Sequence, residues 1–183
     1  MFGTGGFLNP KKLLRGIGII KPGLTIADFG CGAGYFSLPL AELVGNDGTV
    51  YAVDVLENVL KIVSHRAKTS SYFNLKTVHA NLENESGSNL EAESQDVVFM
   101  ANVLFQSQQK EMIVDEAIRV TKPGGYIVII DWLPESYFKT DQGWRIEPED
   151  LKKILEKKKL KFHKEFEPDD YHYGLIYQKA QSK

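Results

Sequence analysis

A turn rich in glycine is the part of this sequence best suited to holding a ligand. It reads Asp28-Phe29-Gly30-Cys31-Gly32-Ala33-Gly34 and lies between an apolar run at 25–30 and a helical pattern that begins at residue 34. Glycine at every second position lets the backbone turn tightly, and the missing Cβ atoms let a ligand approach the main chain closely. The helix that follows would point free backbone N–H groups at that ligand.

An acidic residue further along the chain narrows the class of ligand. Asp54 comes twenty residues after Gly34, at the end of a second β-branched run over residues 49–55. A carboxylate at the end of the second strand of a parallel sheet suits the two hydroxyls of a ribose. The turn and Asp54 therefore predict an adenosine-containing ligand across the carboxyl edge of the sheet. The dinucleotide fingerprint needs a glycine at position 35, where this chain has Tyr35, and NAD binding stays open as the alternative.

The elements that position these residues alternate between strands and helices, which is typical of a parallel sheet covered by helices on both faces. Predicted strands lie at 25–30, 49–55, 73–80, 126–132, 161–167 and 171–179, and a further strand begins the apolar run 96–105. Predicted helices lie at 10–20, 34–44, 56–68, 108–121 and 146–159. Asn9 is the predicted N-cap of the first helix, with Pro10 in its first turn. The Lys-Pro-Gly-Gly segment at 122–125 is expected to end a helix, and a short turn at 168–170 to make the last two strands antiparallel.

Composition and charge limit the classes of function. A chain of 183 residues with one cysteine, 43% hydrophobic and 25% charged residues is expected to form about one domain without an internal disulfide or an all-cysteine metal site. The net charge of −2 argues against a molecule that as a whole binds nucleic acid electrostatically. No signal peptide is recognisable, and no stretch approaches the ~20 apolar residues of a membrane span, so a cytoplasmic protein is expected.

Several ordered motifs resemble those of Rossmann-like, class I S-adenosylmethionine-dependent methyltransferases. The pattern Asp-x-Gly-x-Gly-x-Gly at 28–34 resembles motif I of that family, residues 49–55 resemble its second motif, and residues 96–105 its fourth-strand motif. Residues 119–132, RVTKPGGYIVIIDW, are similar to the segment R-x-L-K-P-G-G-x-hydrophobic of the ubiquinone/menaquinone-biosynthesis type. The resemblance covers residues 22–132 and implies S-adenosylmethionine as the cofactor, S-adenosylhomocysteine as its product, and no metal.

The same resemblance implies a fold. It is an α/β fold, a three-layer α/β/α sandwich around a seven-stranded, mostly parallel Rossmann-like sheet in the order 3-2-1-4-5-7-6, with strand 7 antiparallel. Residues 22–183 would form a single methyltransferase domain. Residues 1–21 would form an amino-terminal lid segment and helix, in which Phe2, Phe7 and Leu8 supply an apolar surface that closes over the pocket.

The motif positions also imply which residues contact the cofactor. They are Asp28, Phe29, Gly30, Cys31, Gly32, Gly34, Tyr35, Asp54, Val55, Asn81, Leu82, Ala101 and Asn102. Asn81 is placed beside the adenine amino group, where the family often has aspartate. Cys31 is interpreted as a packing residue of the turn and not as a nucleophile, and Phe36 as a core residue.

Methyl transfer from a sulfonium is an in-line displacement, so the protein must mainly hold the acceptor near the methyl carbon and exclude water. Aromatic faces suit the positive sulfur. Residues at strand ends, together with one from the lid, are the candidates for the acceptor pocket: Phe7, Phe105, Trp132, Arg145, Tyr171 and His172. A base is needed only where the acceptor must lose a proton, and His172 and Asp131 are the candidates for that role.

The motifs do not specify the acceptor, nor do they indicate an oligomeric state. A small molecule is the main hypothesis, a macromolecule such as protein or RNA the second, and a non-catalytic cofactor-binding partner the third. The lysine-rich segment 152–164 is interpreted as the solvated face of a helix and a strand, with an RNA-binding patch as the alternative. Thiol-rich arsenic-methylating relatives use several cysteines, so the single Cys31 argues against that activity.

Overall fold

The computed structural model describes residues 9–135 and 144–181. Strands are β1 Thr25–Phe29, β2 Thr49–Asp54, β3 Leu75–His79, β4 Gln95–Ala101, β5 Thr121–Trp132, β6 Lys161–Asp169 and β7 His172–Gln178. Helices are α1 Pro10–Gly16, α2 Ser37–Val44, α3 Glu57–Thr69, α4 Lys110–Val120 and α5 Pro148–Lys157, with a 3-10 helix at Leu104–Gln106. The predicted alternation of strands and helices is confirmed, with shifts at several ends.

The strands form one sheet in the order β3-β2-β1-β4-β5-β7-β6, which confirms the predicted topology. β1 pairs in parallel with both β2 and β4, whereas β7 runs antiparallel to both β5 and β6. The strand order reverses between β1 and β4, because the chain returns there from β3. Open α/β sheets bind ligands in the crevice at the carboxyl ends of the strands beside such a reversal.

Two apolar layers cover the two faces of the sheet, as the predicted sandwich requires. Alternate residues of a strand point to opposite faces, so Ile26 and Phe99 join a cluster with α1, α2 and α3, while Phe29 and Met100 join a cluster with α4 and α5. The central strands are buried on both faces. The core therefore holds the carboxyl ends of β1, β2, β4 and β5 rigidly beside one another.

The limits of β4 and β5 depend on contacts between distant residues. β4 ends at Ala101, inside the run 96–105 that it begins, because Asn102 adopts a left-handed conformation with φ +58° and the chain then forms the 3-10 helix. The predicted start of β5 is wrong. β5 begins at Thr121 and not at residue 126, because the Lys-Pro-Gly-Gly segment pairs with a distant part of the chain: the Gly124 N–H donates to Lys179 O at 2.9 Å. Local sequence could not reveal this pairing.

Three further limits differ from the prediction. α1 ends at Gly16, since Gly18 takes φ +80°, and α2 begins at Ser37, since Gly34 takes φ +82°. β6 continues to Asp169, so the hairpin turn is 170–171 and not 168–170. The antiparallel relation of β6 and β7 is confirmed.

The start of the described chain carries the helix of the predicted lid. Asn9 is the N-cap of α1 as predicted, its Oδ1 accepting the Lys12 N–H at 3.0 Å. Leu14 is buried in the core, and Lys11 forms an ion pair with Glu42 of α2 at 2.6 Å. Phe2, Phe7 and Leu8 lie outside the described residues, and closure over the pocket stays a prediction. Within 9–135 and 144–181, no helix combines the length and the apolar character that crossing a bilayer would require.

Candidate active site

The glycine turn is built as its spacing predicted. Gly30, Gly32 and Gly34 all have positive φ, at +66°, +51° and +82°, where a side chain is disfavoured. A Cβ on Gly30 would lie 2.6 Å from Cγ2 of Val103, so glycine is needed there for packing against the end of β4. A Cβ on Gly32 would meet no atom within 4 Å, so this part of the backbone faces open space. The turn is thus closed on the protein side and open to a ligand.

Asp54 ends β2 directly beside this turn. Its Oδ2 accepts the Gly32 N–H at 2.9 Å, and its Oδ1 accepts the Leu56 N–H at 2.9 Å. A carboxylate offers about four lone-pair sites, so each oxygen can accept a further hydrogen bond from a ribose hydroxyl. Val55 and Leu56, which follow, are more than half exposed and provide apolar surface for a flat base. This combination of a hydrogen-bond acceptor and apolar surface fits the adenosine part of S-adenosylmethionine.

Asp28 lies beneath the turn, completely buried, and accepts a hydrogen bond from the hydroxyl of Ser37 in the first turn of α2. Burial raises the pKa of Asp28 to about 7; the Ser37 hydrogen bond opposes this rise and the charge of Asp54 adds to it. Asp28 therefore links the start of the glycine turn to the first turn of α2.

We expect Asp28→Asn to stabilise the protein in a pH-dependent manner. Because folding raises the pKa from 3.8 to about 7, stability from the protonated carboxyl is full below pH 3.8 and is lost as pH rises to about 7. The variant should therefore gain on the native protein across this window, by on the order of a few kcal/mol at neutral pH. Thermal unfolding at several pH values measures the gain. Asp47→Asn, at an exposed acid, is the control; a gain at Asp28 that does not vary with pH would refute the expectation.

Asn102, the residue after β4, lies beside the glycine turn on the cofactor side of the crevice. The Asn102 N–H donates to Ile130 O at 2.8 Å, and its carbonyl accepts from Gln106 Nε2 at 2.6 Å. These contacts hold its left-handed backbone, a conformation that concentrates at functional sites. Its Oδ1 is buried and has no hydrogen-bond partner among the residues that the structure describes. Asn102 therefore presents an acceptor beside the turn, next to Ala101.

The other predicted cofactor residues differ in how exposed they are. Asn81 is exposed, and its Oδ1 accepts the Glu83 N–H at 3.0 Å, whereas Leu82 is buried in the core. Cys31 is also buried; burial raises the pKa of its thiol, and its N–H donates to Val53 O at 3.0 Å. This supports the interpretation of Cys31 as a packing residue. Contact of Asn81 with adenine stays a prediction.

Aromatic residues behind the turn follow the expected division. Phe36 is buried and packs on Phe99 at 4.8 Å between ring centroids, which confirms it as a core residue. Tyr35 is partly buried and meets Phe36 edge to face at 5.3 Å. Phe29 is completely buried, so only its backbone can approach a cofactor.

The predicted acceptor-pocket residues meet around Trp132 at the end of β5. Phe105 lies edge-on at 6.4 Å between ring centroids, the His172 ring lies at 4.1 Å, and the Arg145 guanidinium carbon lies 5.5 Å from the ring centre. Tyr171 is adjacent, its carbonyl accepting the Leu133 N–H at 2.9 Å. The structure thus brings five of the six predicted residues together, and Phe7 lies outside the described chain.

Asp131 has a structural task that the sequence did not indicate. Its Oδ2 accepts the Phe105 N–H at 3.0 Å and its Oδ1 accepts the Trp132 N–H at 2.8 Å. It is 1% exposed, and burial raises its pKa to about 7 against these hydrogen bonds and the nearby charge of Lys110. Asp131 therefore ties the 3-10 helix to the end of β5. A catalytic role for it stays a prediction.

His172, the first residue of β7, has a partner that sequence analysis missed. Asp169 Oδ1 accepts the N–H of His172 Nδ1 at 2.8 Å and also the backbone N–H groups of Tyr171 and His172. Burial lowers the pKa of His172; Asp169 opposes this effect and the positive charge of Arg145 reinforces it. The spacing Asp-x-x-His across a hairpin turn is the signal that would have found Asp169.

Known proteins resemble this chain in sequence. A family model described as a methyltransferase domain matches residues 20–175. The demethylmenaquinone methyltransferase of Geobacillus stearothermophilus is 31% identical over 121 residues, which are 66% of this chain and 50% of that protein. The arsenite methyltransferase of Aquipseudomonas alcaligenes is 30% identical over 134 residues, 68% of this chain and 39% of that protein. The chain spans half or less of the length of these curated relatives.

The structural comparison agrees. The crystal structure of a SAM-dependent methyltransferase from Aquifex aeolicus matches with a TM-score of 0.83 and 26% identity, over 94% of this chain and 90% of that chain. The family match contains the glycine turn, Asp54 and the residues around Trp132. The chain therefore belongs to the methyltransferase domain family, in its Rossmann-like, S-adenosylmethionine-dependent class.

Proposed function

We propose that this chain is a cytoplasmic enzyme that transfers the methyl group of S-adenosylmethionine to a small molecule. The observation that carries the proposal is Asp54 beside Gly32, where a carboxylate with spare lone pairs meets an open stretch of glycine backbone. The cofactor, when bound, supplies an electrophilic methyl group on a positive sulfur. The chain's own residues have to hold the adenosine, place the acceptor and exclude water.

Each part of the site has a distinct task in this proposal. Asp54 accepts hydrogen bonds from the ribose, and the apolar side chains of Val55 and Leu56 flank the base. The buried Oδ1 of Asn102 offers an acceptor to the ammonium group of the methionine part. Phe105 and Trp132 then form an aromatic wall on the acceptor side of the crevice.

Charge pairing favours a small molecule over RNA as the acceptor. Three lysines of the basic segment form ion pairs within 3 Å of nearby acids: Lys152 with Glu149 and Glu165, Lys153 with Asp150, and Lys158 with Asp115. Their charge is thus largely compensated on the surface, which weakens attraction for phosphates. These ion pairs support the interpretation of the segment as a solvated face.

An aromatic acceptor fits this site better than arsenite does. The soft arsenic atom of arsenite prefers thiolate ligands. This chain has one cysteine, which is buried in the glycine turn, and burial raises the pKa of its thiol. The wall of Phe105 and Trp132 instead suits a flat apolar molecule. The demethylmenaquinone methyltransferase relative supports this choice of acceptor class.

Ligand binding tests the cofactor directly. S-adenosylhomocysteine or S-adenosylmethionine should raise the melting temperature, by the equivalent of about 2.7 kcal/mol at 100 times the dissociation constant. NAD and NADP should have no effect, because Tyr35 replaces the third glycine of their fingerprint. Calorimetry that detects NADH binding and no response to either adenosyl compound would overturn the proposal.

Turnover tests the acceptor. Incubation with radiolabelled S-adenosylmethionine and a cell extract should transfer label to a product that passes a small-pore filter. Label retained on protein or RNA would instead favour a macromolecular acceptor. Binding of S-adenosylmethionine without any transfer of label would favour a non-catalytic partner.

A further inference from the structure

Two buried acceptor atoms lie at the acceptor side of the crevice without a hydrogen-bond partner in the described part of the chain. They are Nε2 of His172 and Oδ2 of Asp169. His172 is 1% exposed and the side chain of Asp169 is 10% exposed. Buried polar atoms are nearly always paired in proteins, because an unpaired one costs free energy. This pair therefore points to a group that the described residues do not supply.

The hydrogen bond between the two residues defines which nitrogen is vacant. Asp169 is an acceptor, so Nδ1 of His172 carries the proton that it donates at 2.8 Å. Nε2 then holds a lone pair and needs a donor. Burial and the charge of Arg145 both lower the pKa of His172, which keeps the imidazole neutral. The vacant nitrogen is therefore a base with its lone pair available.

A purely structural role does not account for this arrangement. The carboxylate of Asp169 already accepts the backbone N–H groups of Tyr171 and His172, so it stabilises the hairpin turn without the imidazole. A histidine with only a packing role would be expected to turn its second nitrogen to solvent or to a protein group. Here it is enclosed and unpartnered among the described residues.

We propose that His172, held by Asp169, accepts the proton of a hydroxyl group on an aromatic acceptor that packs against Trp132. The proposal rests on the proposed function and adds the chemical class of the acceptor. The His172 ring lies 4.1 Å from the Trp132 ring, so a molecule that contacts the exposed part of Trp132 comes close to Nε2. Because the imidazole is buried, the hydroxyl that pairs with it is shielded from water.

Nearby charge favours a hydroxyl over an amine as the acceptor. The guanidinium of Arg145 lies 5.5 Å from the centre of the Trp132 ring. Its positive charge would repel an ammonium group and would stabilise the negative oxygen that forms as a hydroxyl loses its proton. Two charges thus act on His172: Asp169 on β6 and Arg145 before α5.

The proposed reaction moves one proton to His172 and one methyl group to the acceptor oxygen. The O–H bond of the acceptor breaks and its proton bonds to Nε2. The Nδ1–H group stays hydrogen-bonded to Asp169, so His172 becomes a cation beside a carboxylate. The electron pair left on the acceptor forms the new bond to the methyl carbon. The carbon–sulfur bond breaks, and its pair remains on sulfur, which becomes neutral. The proton leaves His172 to water after release of the product.

Nitrogen NMR of the histidine ring tests the proposal without turnover. We would add S-adenosylhomocysteine and then 1,4-dihydroxynaphthalene, with 1,4-dimethoxynaphthalene as the matched probe that lacks the donor hydrogens. The Nε2 signal of His172, assigned with His172→Asn, should start as unprotonated and shift when the diol binds but not with the dimethoxy compound. Binding of S-adenosylhomocysteine without a diol-dependent shift overturns this proposal alone, whereas no binding of S-adenosylhomocysteine overturns the proposed function.

Kinetics with the same diol and S-adenosylmethionine provides a second readout. His172→Asn should lower kcat by about 10²–10⁴-fold, the usual range for a general base, and leave the KM for S-adenosylmethionine nearly unchanged. His172→Gln, which offers an amide but cannot take a proton, should be equally slow. Both variants should recover as pH rises, because the diol then ionises without help, while the native protein should lose activity only at low pH.

His163→Asn is the matched control, since His163 packs on Tyr126 in the middle of β5, away from Trp132, and should leave kcat unchanged. Near-native kcat in His172→Asn or His172→Gln would refute the proposal. So would a native protein that does not methylate the diol.

Discussion

Asp54→Ala should weaken the binding of S-adenosylhomocysteine by roughly 1.5–3 kcal/mol, the range for hydrogen bonds to a charged group, or about 10- to 150-fold. The carboxylate is the acceptor that the ribose hydroxyls would use, and it also fixes the open glycine turn through the Gly32 N–H at 2.9 Å. Isothermal titration calorimetry of the folded variant measures the loss.

Asp54→Asn separates these two contributions. The amide keeps one oxygen for a backbone N–H but loses the charge and half of the acceptor sites, so we expect an intermediate loss. Asp47→Asn, an exposed acid in the turn before β2, is the control and should bind normally. An unchanged dissociation constant in both Asp54 variants would mean that another acid holds the ribose.

Glu116→Ala should destabilise the protein by about 3 kcal/mol, the lower end of the range for removing one partner of a buried ion pair. Glu116 is 4% exposed and accepts from Nε and Nη2 of Arg119 at 2.7 Å and from the backbone N–H of Ser88 at 2.9 Å. Its loss leaves Nε of Arg119 and the backbone N–H of Ser88 without these partners, while Nη2 keeps Leu90 O. For a domain of this size the melting temperature should fall by about 6–12 °C.

The pH dependence of this effect has a defined sign. Burial raises the pKa of Glu116, but the hydrogen bonds from Arg119 and Ser88 and the charge of Arg119 together outweigh it and lower the pKa below 4.5. Its stabilisation is therefore present above pH 4.5 and is lost as pH falls through the lowered pKa. Glu111→Ala, on the exposed side of the same helix and paired with Lys158 at 3.3 Å, should cost less than about 1 kcal/mol. Equal melting temperatures for the two variants would refute the expectation.

This second prediction shows how a motif can be found before its physical role is known. Arg119 begins the segment that resembles the menaquinone-biosynthesis type, yet nothing in the sequence showed why arginine stands there. In the structure it donates to Glu116 and to Leu90 O at 2.7 Å and so anchors the irregular segment after β3 to α4. Residues 88 and 90 are far from 116 and 119 in sequence, so local patterns could not join them.

Sequence patterns were less reliable where the backbone leaves regular structure. Most of the run over 96–105 is apolar, and its composition alone did not show what stops β4 at Ala101. The stop depends on the left-handed Asn102, whose N–H pairs with Ile130 on β5. The order of the strands was implied by the family resemblance and not by periodicity, because a period shows which face a residue takes but not which strand lies beside it.

By itself the sequence determined the alternation of elements, the open glycine turn and the carboxylate of Asp54, because φ freedom and strand period are properties of a short stretch of chain. Only the tertiary structure decided that Trp132, Arg145, Asp169 and His172 meet. They belong to separate segments, and they come together because β7 inserts antiparallel between β5 and β6. The buried nitrogen of His172, which has no partner among the described residues, likewise exists only in the folded state, since removal from water depends on atoms that distant segments contribute.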